Sequence, residues 1–108
     1  MAMTPEVKVK QRVTALLKQV GAYYFYPVTS GFGGSGVPDI VACYRGRFIG
    51  IECKAGKNKP TKLQQKNLTD IDTAGGIAMV VNEDNVEQVS AMLASLDAHG
   101  EHSGPVYL

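Results

Sequence analysis

Two short stretches decide the reading of this chain: Gly36-Val37-Pro38-Asp39 and Ile51-Glu52-Cys53-Lys54, with residues 40–50 between them. The intervening residues are apolar and β-prone on both sides of Arg45-Gly46-Arg47, the pattern of two strands, 39–44 and 48–54, folded back as a hairpin. Side chains alternate along a strand, so Glu52 and Lys54 share one face while Ile49, Ile51 and Cys53 share the other. A two-residue hairpin loop places Asp39 opposite either Glu52 or Lys54, on the same face in both cases. The same register puts Cys43 and Cys53 on opposite faces, which excludes a disulfide between them. Two carboxylates and an ammonium thus converge at the end of otherwise apolar strands. Hard oxygen ligands so placed suit Mg²⁺ or Mn²⁺. A surface Glu–Lys pair beside a capping aspartate accounts for the same residues without any metal.

Working outward, Thr4-Pro5-Glu6 reads as a helix start, with Thr4 as N-cap and Pro5 at the first helical position. Val9, Val13, Leu16, Leu17 and Val20 then recur at helical spacing until Gly21. Residues 22–28 form an aromatic-rich first strand, and 29–37 a glycine-rich loop. Thr61 caps a second helix running to residue 74. Residues 77–81 are an apolar, β-branched strand, and 82–96 a third helix. The order is αβββαβα, an α/β domain over 1–96 with a mixed central sheet flanked by helices. Residues 97–108 read as a flexible tail.

Length and composition narrow the function classes. A chain of 108 residues with 44% hydrophobic residues supports one small core, and at this size self-association adds needed stability. No apolar run spans a bilayer, and the segment 1–10 has no signal-peptide character. With two cysteines lacking metal-ligand spacing, the expected setting is a reducing cytoplasm. Gly31-Phe32-Gly33-Gly34-Ser35-Gly36 matches a dinucleotide fingerprint, but Pro38-Asp39 leads into a strand rather than a helix, which argues against a nucleotide cofactor. His99 and His102, two ligands on a tail, make a weak metal site at best.

The net charge of +1 conceals a strong asymmetry. All 11 basic residues fall within 1–66, alongside three acids, for a net charge of +8; the remaining 42 residues carry −7. Such segregation points to a polyanionic partner, although a solvated basic face opposite an acidic one is the plainer alternative. The three acids in the basic half are Glu6, Asp39 and Glu52. Glu6 falls within the apolar stripe of the first helix, and Gln64 on the same face of the second helix as Leu68 and Ile71. A helix dipole favours a glutamate near a helix start, but it does not explain Gln64. Together these residues describe one polar site lined by two helices and a hairpin.

That arrangement resembles the PD-(D/E)XK nuclease superfamily: Pro38-Asp39, then Glu52-Cys53-Lys54, with Glu6 on a preceding helix and Gln64 on a following one. The finer pattern adds Gly36-Val37, Pro60-Thr61-Lys62-Leu63-Gln64, Ala74-Gly75-Gly76 and Val80-Val81. It is similar to the VRR-NUC branch, which includes stand-alone phage and bacterial nucleases and the catalytic domain of the Fanconi-associated nuclease. The resemblance covers roughly residues 5–96. It implies a metal-dependent phosphodiesterase with a restriction-endonuclease-like core, encoded by a bacterium or phage. Asp39, Glu52 and the backbone carbonyl of Cys53 would hold Mg²⁺ or Mn²⁺, with Glu6 supporting the ion through water or binding a second. Lys54 would position or help deprotonate the attacking water, and Gln64 would orient Lys54 or a phosphate. Lys57, Lys59, Lys62 and Lys66 would grip DNA backbone phosphates. With no motif for reading base edges, the expectation is structure-selective cutting, in particular of four-way junctions by a homodimer. A monomeric flap or nicking nuclease and a non-catalytic DNA-binding module are the alternatives.

Overall fold

The computed structural model describes residues 3–28 and 36–99, and the statements below concern those residues. Seven elements follow in the order expected: α1 (Pro5–Val20), β1 (Tyr23–Phe25), β2 (Ile40–Tyr44), β3 (Arg47–Cys53), α2 (Lys62–Thr73), β4 (Ile77–Val81) and α3 (Glu87–His99). Local chemistry explains most boundaries. The Thr4 hydroxyl accepts the Val7 amide proton and Gly21, at φ 79°, closes α1 in the left-handed conformation. At the β2–β3 turn Arg45 and Gly46 both have positive φ, 51° and 79°, as a two-residue hairpin loop with the strands' own twist requires.

The four strands form one sheet in the order β1-β2-β3-β4. β1, β2 and β3 are antiparallel, and β3 pairs in parallel with β4, so the sheet is mixed. Ile40 pairs with Ile51. That register continues Asp39 toward Glu52 rather than toward Lys54. Ile40, Ala42, Ile49, Ile51, Cys53 and Val81 point to the core beneath α1 and α3, against Val9, Val13, Leu17, Val89 and Leu93. Each fully buried aliphatic side chain here stabilises the fold by about 1.5–3 kcal/mol.

The other face of the sheet is only half covered. α2 lies over β3 and β4 there, at such close range that a Cβ on Gly50 would sit 2.6 Å from Ile71 and 3.0 Å from Pro38. Over β1 and β2 that face is bare. Tyr23 pairs with Cys43 and Cys43 with Phe48, giving an apolar row across three strands, and Tyr23 and Phe48 are 71% and 48% exposed. Cys43 is exposed and Cys53 buried, and both are free thiols, as the opposite-face register requires.

Three expectations need correction. The first strand is three residues long rather than 22–28, because Pro27 offers no amide to the ladder and restricts Tyr26 before it. The third helix starts at Glu87, not at 82. Asn82 and Asn85 take up local amides instead: the Asn82 side-chain oxygen accepts from Asp84 and Asn85, and that of Asn85 from Asn82. Such Asx bonding competes with helix. At its other end α3 runs through His99, so residues 97–99 are helix rather than tail. Asp97 accepts hydrogen bonds there from the Tyr44 hydroxyl and from Arg45 Nε, the latter at 3.1 Å, tying α3 to the β2–β3 turn. Residues 100–108, with His102, and most of the glycine-rich stretch lie outside the described residues. Among the described residues no helix is long and apolar enough to cross a membrane.

Candidate metal and phosphodiester site

Glu52 is the centre of the site. It belongs to β3, an inner strand paired with β2 and β4, on the face that α2 covers, and is only 2% exposed. A buried carboxylate of this kind is costly unless its oxygens are satisfied. One is: Glu52 Oε2 accepts a 2.8 Å hydrogen bond from Gln64 Nε2 and lies 3.3 Å from Lys54 Nζ. The other, Oε1, is buried with no hydrogen-bond partner. The carboxyl's pKa is raised to about 7, by burial first, then by the Asp39 charge and to a lesser degree by Glu6, with Lys54 opposing them. The side chain is therefore short of positive charge where it is held.

Local sequence holds the partners in place. Thr61 is the N-cap of α2 and accepts from the Gln64 amide, while Gln64 Oε1 accepts from the Thr61 amide at 2.9 Å. This reciprocal capping box occupies the oxygen of the Gln64 amide and turns its NH₂ toward Glu52. The sequence carries the signal for it, Thr61-Lys62-Leu63-Gln64, an S/T-x-x-E/Q pattern that the reading of Gln64 as a core-facing residue left out. Lys54, with a side chain only 14% exposed, emerges one residue beyond β3, where its own amide donates to the Val81 carbonyl at 2.9 Å. Asp39, half-buried, extends the β2–β3 ladder with its side chain: Oδ2 accepts the Cys53 amide proton at 2.8 Å. The peptide preceding Cys53 is thereby fixed beside both carboxylates.

Glu6 reaches the same end of the sheet from the first turn of α1, half-buried, and its charge is felt at Glu52, although less than that of Asp39. Among the described residues no three His, Cys, Asp or Glu side chains stand close enough to enclose a metal by themselves. The residues that could hold a hard divalent cation are Asp39 and Glu52, with the Cys53 carbonyl that the family resemblance implies. The unpartnered Oε1 and a carboxyl pushed up by burial and neighbouring negative charge are what such a cation would relieve. No family model matches the chain, and no curated protein matches it significantly.

The lysines divide. Lys57 and Lys59 lie exposed in the connection from β3 to α2, and Lys62 opens α2. Lys66, one turn further, is held by Asp70 at 2.8 Å on the exposed helix surface. The Cys53 thiol faces the core, and burial, ahead of the Asp39 charge, pushes its pKa up to about 12, which removes it as a nucleophile. Sequence reasoning did not single out Lys10 and Tyr26. The Lys10 ammonium lies 5.8 Å from the centre of the Tyr26 ring, near the same end of the sheet. The signal was available, since Lys10 stands four residues after Glu6 on one helix face.

Proposed function

We propose that this chain is a Mg²⁺- or Mn²⁺-dependent DNA endonuclease of the PD-(D/E)XK type, in its VRR-NUC branch. The observation that carries the reading is the Glu52 carboxylate, buried, gripped on one oxygen by Lys54 and Gln64 and left unpartnered on the other, next to Asp39. A purely structural Glu–Lys pair has no reason to be buried with an orphaned oxygen. Asp39, Glu52 and the Cys53 carbonyl are the residues that would hold the ion, with Glu6 as outer support. When bound, Mg²⁺ or Mn²⁺ supplies a lowered pKa for water and neutralisation of the phosphate charge.

The chain's own residues do the rest. The Lys54 ammonium orients the attacking water and offsets the charge that grows on the phosphoryl oxygens as the water oxygen bonds to phosphorus and the P–O ester bond breaks. Gln64 holds Glu52 by Oε2, which leaves Oε1 as the oxygen that would meet the ion. Lys57, Lys59 and Lys62 carry the positive charge that a DNA backbone needs, and Lys66 joins them once freed from Asp70. The proposed substrate is branched DNA, and a four-way junction is cut symmetrically by a homodimer of cytoplasmic, bacterial or phage origin. The exposed apolar patch of Tyr23, Phe25 and Phe48 suits the core of such an interface.

The test is incubation of labelled four-way junction, linear duplex and flap DNA with the protein in Mg²⁺, Mn²⁺ or EDTA, with Glu52→Ala alongside. Paired, metal-dependent cuts on the junction, lost in Glu52→Ala with binding retained, are expected. Cuts confined to flaps or nicks would discard the junction role. Binding without cleavage in either metal would leave a DNA-binding module and end the enzyme reading.

A further inference from the structure

The lysines proposed to hold DNA phosphates all follow β3 in the sequence, in the connection to α2 and on α2 itself. α1 approaches the site from the opposite face, and it carries a cation of its own. Lys10 lies one turn after Glu6, half-buried, with its ammonium 5.8 Å from the centre of the Tyr26 ring. Tyr26 follows Phe25, which pairs with Val41, and Ile40 pairs with Ile51, so the ring and the ammonium over it stand at the end of the sheet where Asp39 and Glu52 lie. Among the described residues the ammonium nevertheless makes no ion pair with either of them. An ammonium at that end of the sheet, in no ion pair among the described residues and steadied on an aromatic face, is set up to take an anion from outside.

We propose that Lys10, steadied by Tyr26, is a second phosphate-binding site on the α1 side of the sheet, taking a backbone phosphate neighbouring the scissile one while Lys57, Lys59 and Lys62 act from the β3–α2 connection and α2. The assignment rests on the nuclease reading and adds to it a grip on both flanks of the cut. Tyr26 is 47% exposed, so the ring's outer surface stays open to the strand that Lys10 holds. The Lys10 ammonium itself lies over the ring, and at 5.8 Å from its centre it keeps donor protons for an anion on its outer side.

The experiment is DNA binding by fluorescence anisotropy in EDTA, with a labelled four-way junction and a linear duplex, over a range of salt concentrations. Wild type, Lys10→Met, Lys10→Arg and Tyr26→Leu are compared, with a Mn²⁺ titration of each. Lys10→Met should lower the slope of log K against log salt by about one, so that a fourfold rise in salt weakens it about three- to fourfold less than wild type. Lys10→Arg should restore the slope, and Tyr26→Leu should keep the slope with reduced affinity. An unchanged slope in Lys10→Met, with tighter Mn²⁺ uptake, would reduce Lys10 to a charge balancer for the carboxylates and overturn the assignment alone. If wild type shows no salt-dependent DNA binding, the nuclease reading falls and the assignment with it.

Discussion

Glu52→Gln keeps the shape of the site's central side chain and removes its charge, and the consequence for stability can be worked from the structure. In the folded protein the Glu52 carboxyl titrates near pH 7, against 4.5 for an ordinary glutamate. The folded state therefore holds the proton more tightly than the unfolded state. Its favourable contribution is fully present below pH 4.5 and is lost as pH rises through the folded pKa near 7. Above that point the ionised, metal-free site costs about 3 kcal/mol relative to acid conditions. Glutamine carries no such titration, so at pH 8 in EDTA Glu52→Gln should be the more stable protein by up to about 3 kcal/mol. Since a domain of this size gains about 4 °C or more per kcal/mol, the melting temperature should rise by roughly 10 °C. At pH 5 the difference should shrink to less than about 1 kcal/mol. Mn²⁺ should raise the wild-type melting temperature and leave that of Glu52→Gln unmoved, while cutting is lost in the variant. Calorimetry at pH 5 and pH 8, with and without Mn²⁺, gives all four comparisons. A variant less stable than wild type at pH 8, or a difference independent of pH, would refute the account of Glu52 as a strained anion awaiting a cation.

Other outcomes follow from the same geometry. A Cβ on Gly36 would lie 2.6–2.8 Å from the side chain and backbone of Leu63. Gly36→Ala should therefore cost about 1–3 kcal/mol in urea denaturation and reduce cutting further by displacing the segment that leads to Asp39. Thr61→Ala removes the N-cap of α2 and with it the box that orients Gln64; a loss of about 1 kcal/mol is expected. Cutting should fall as well although Thr61 never touches Glu52, and unchanged turnover would count against Gln64 as an orienting residue. At pH 8 iodoacetamide should alkylate exposed Cys43 alone, with Cys53 labelled only in denaturant, because its buried thiol has a pKa near 12. Mass spectrometry of the labelled peptides reads this directly, and fast labelling of Cys53 in the native protein would contradict the core assignment of that strand face.

Much of the fold was legible because its signals are local. The Thr4-Pro5 start and Gly21 stop of α1 are backbone chemistry of neighbouring residues, and so is the Arg45-Gly46 turn that fixes the hairpin. Strand alternation then placed Glu52 and Lys54 on one face before any tertiary contact was considered. The errors arose where a local competitor was overlooked: Pro27 at the end of β1, and the Asn82 and Asn85 side chains that delay α3. At the far end of α3, Asp97 is anchored by Tyr44 and Arg45, residues more than 50 positions away.

The sequence by itself determined the element order, the apolar faces and which polar residues stand out of place on them, because those depend on periodicity and on residues a few positions apart. Tertiary structure decided what those polar residues do to one another. Only packing of α2 on β3 brings Gln64 within 2.8 Å of Glu52, and only the Ile40–Ile51 register directs Asp39 toward Glu52 rather than Lys54. The orphaned Oε1 and the raised pKa of its carboxyl exist because a sheet and a helix exclude water there, and burial of that kind has no signature in the chain until it folds.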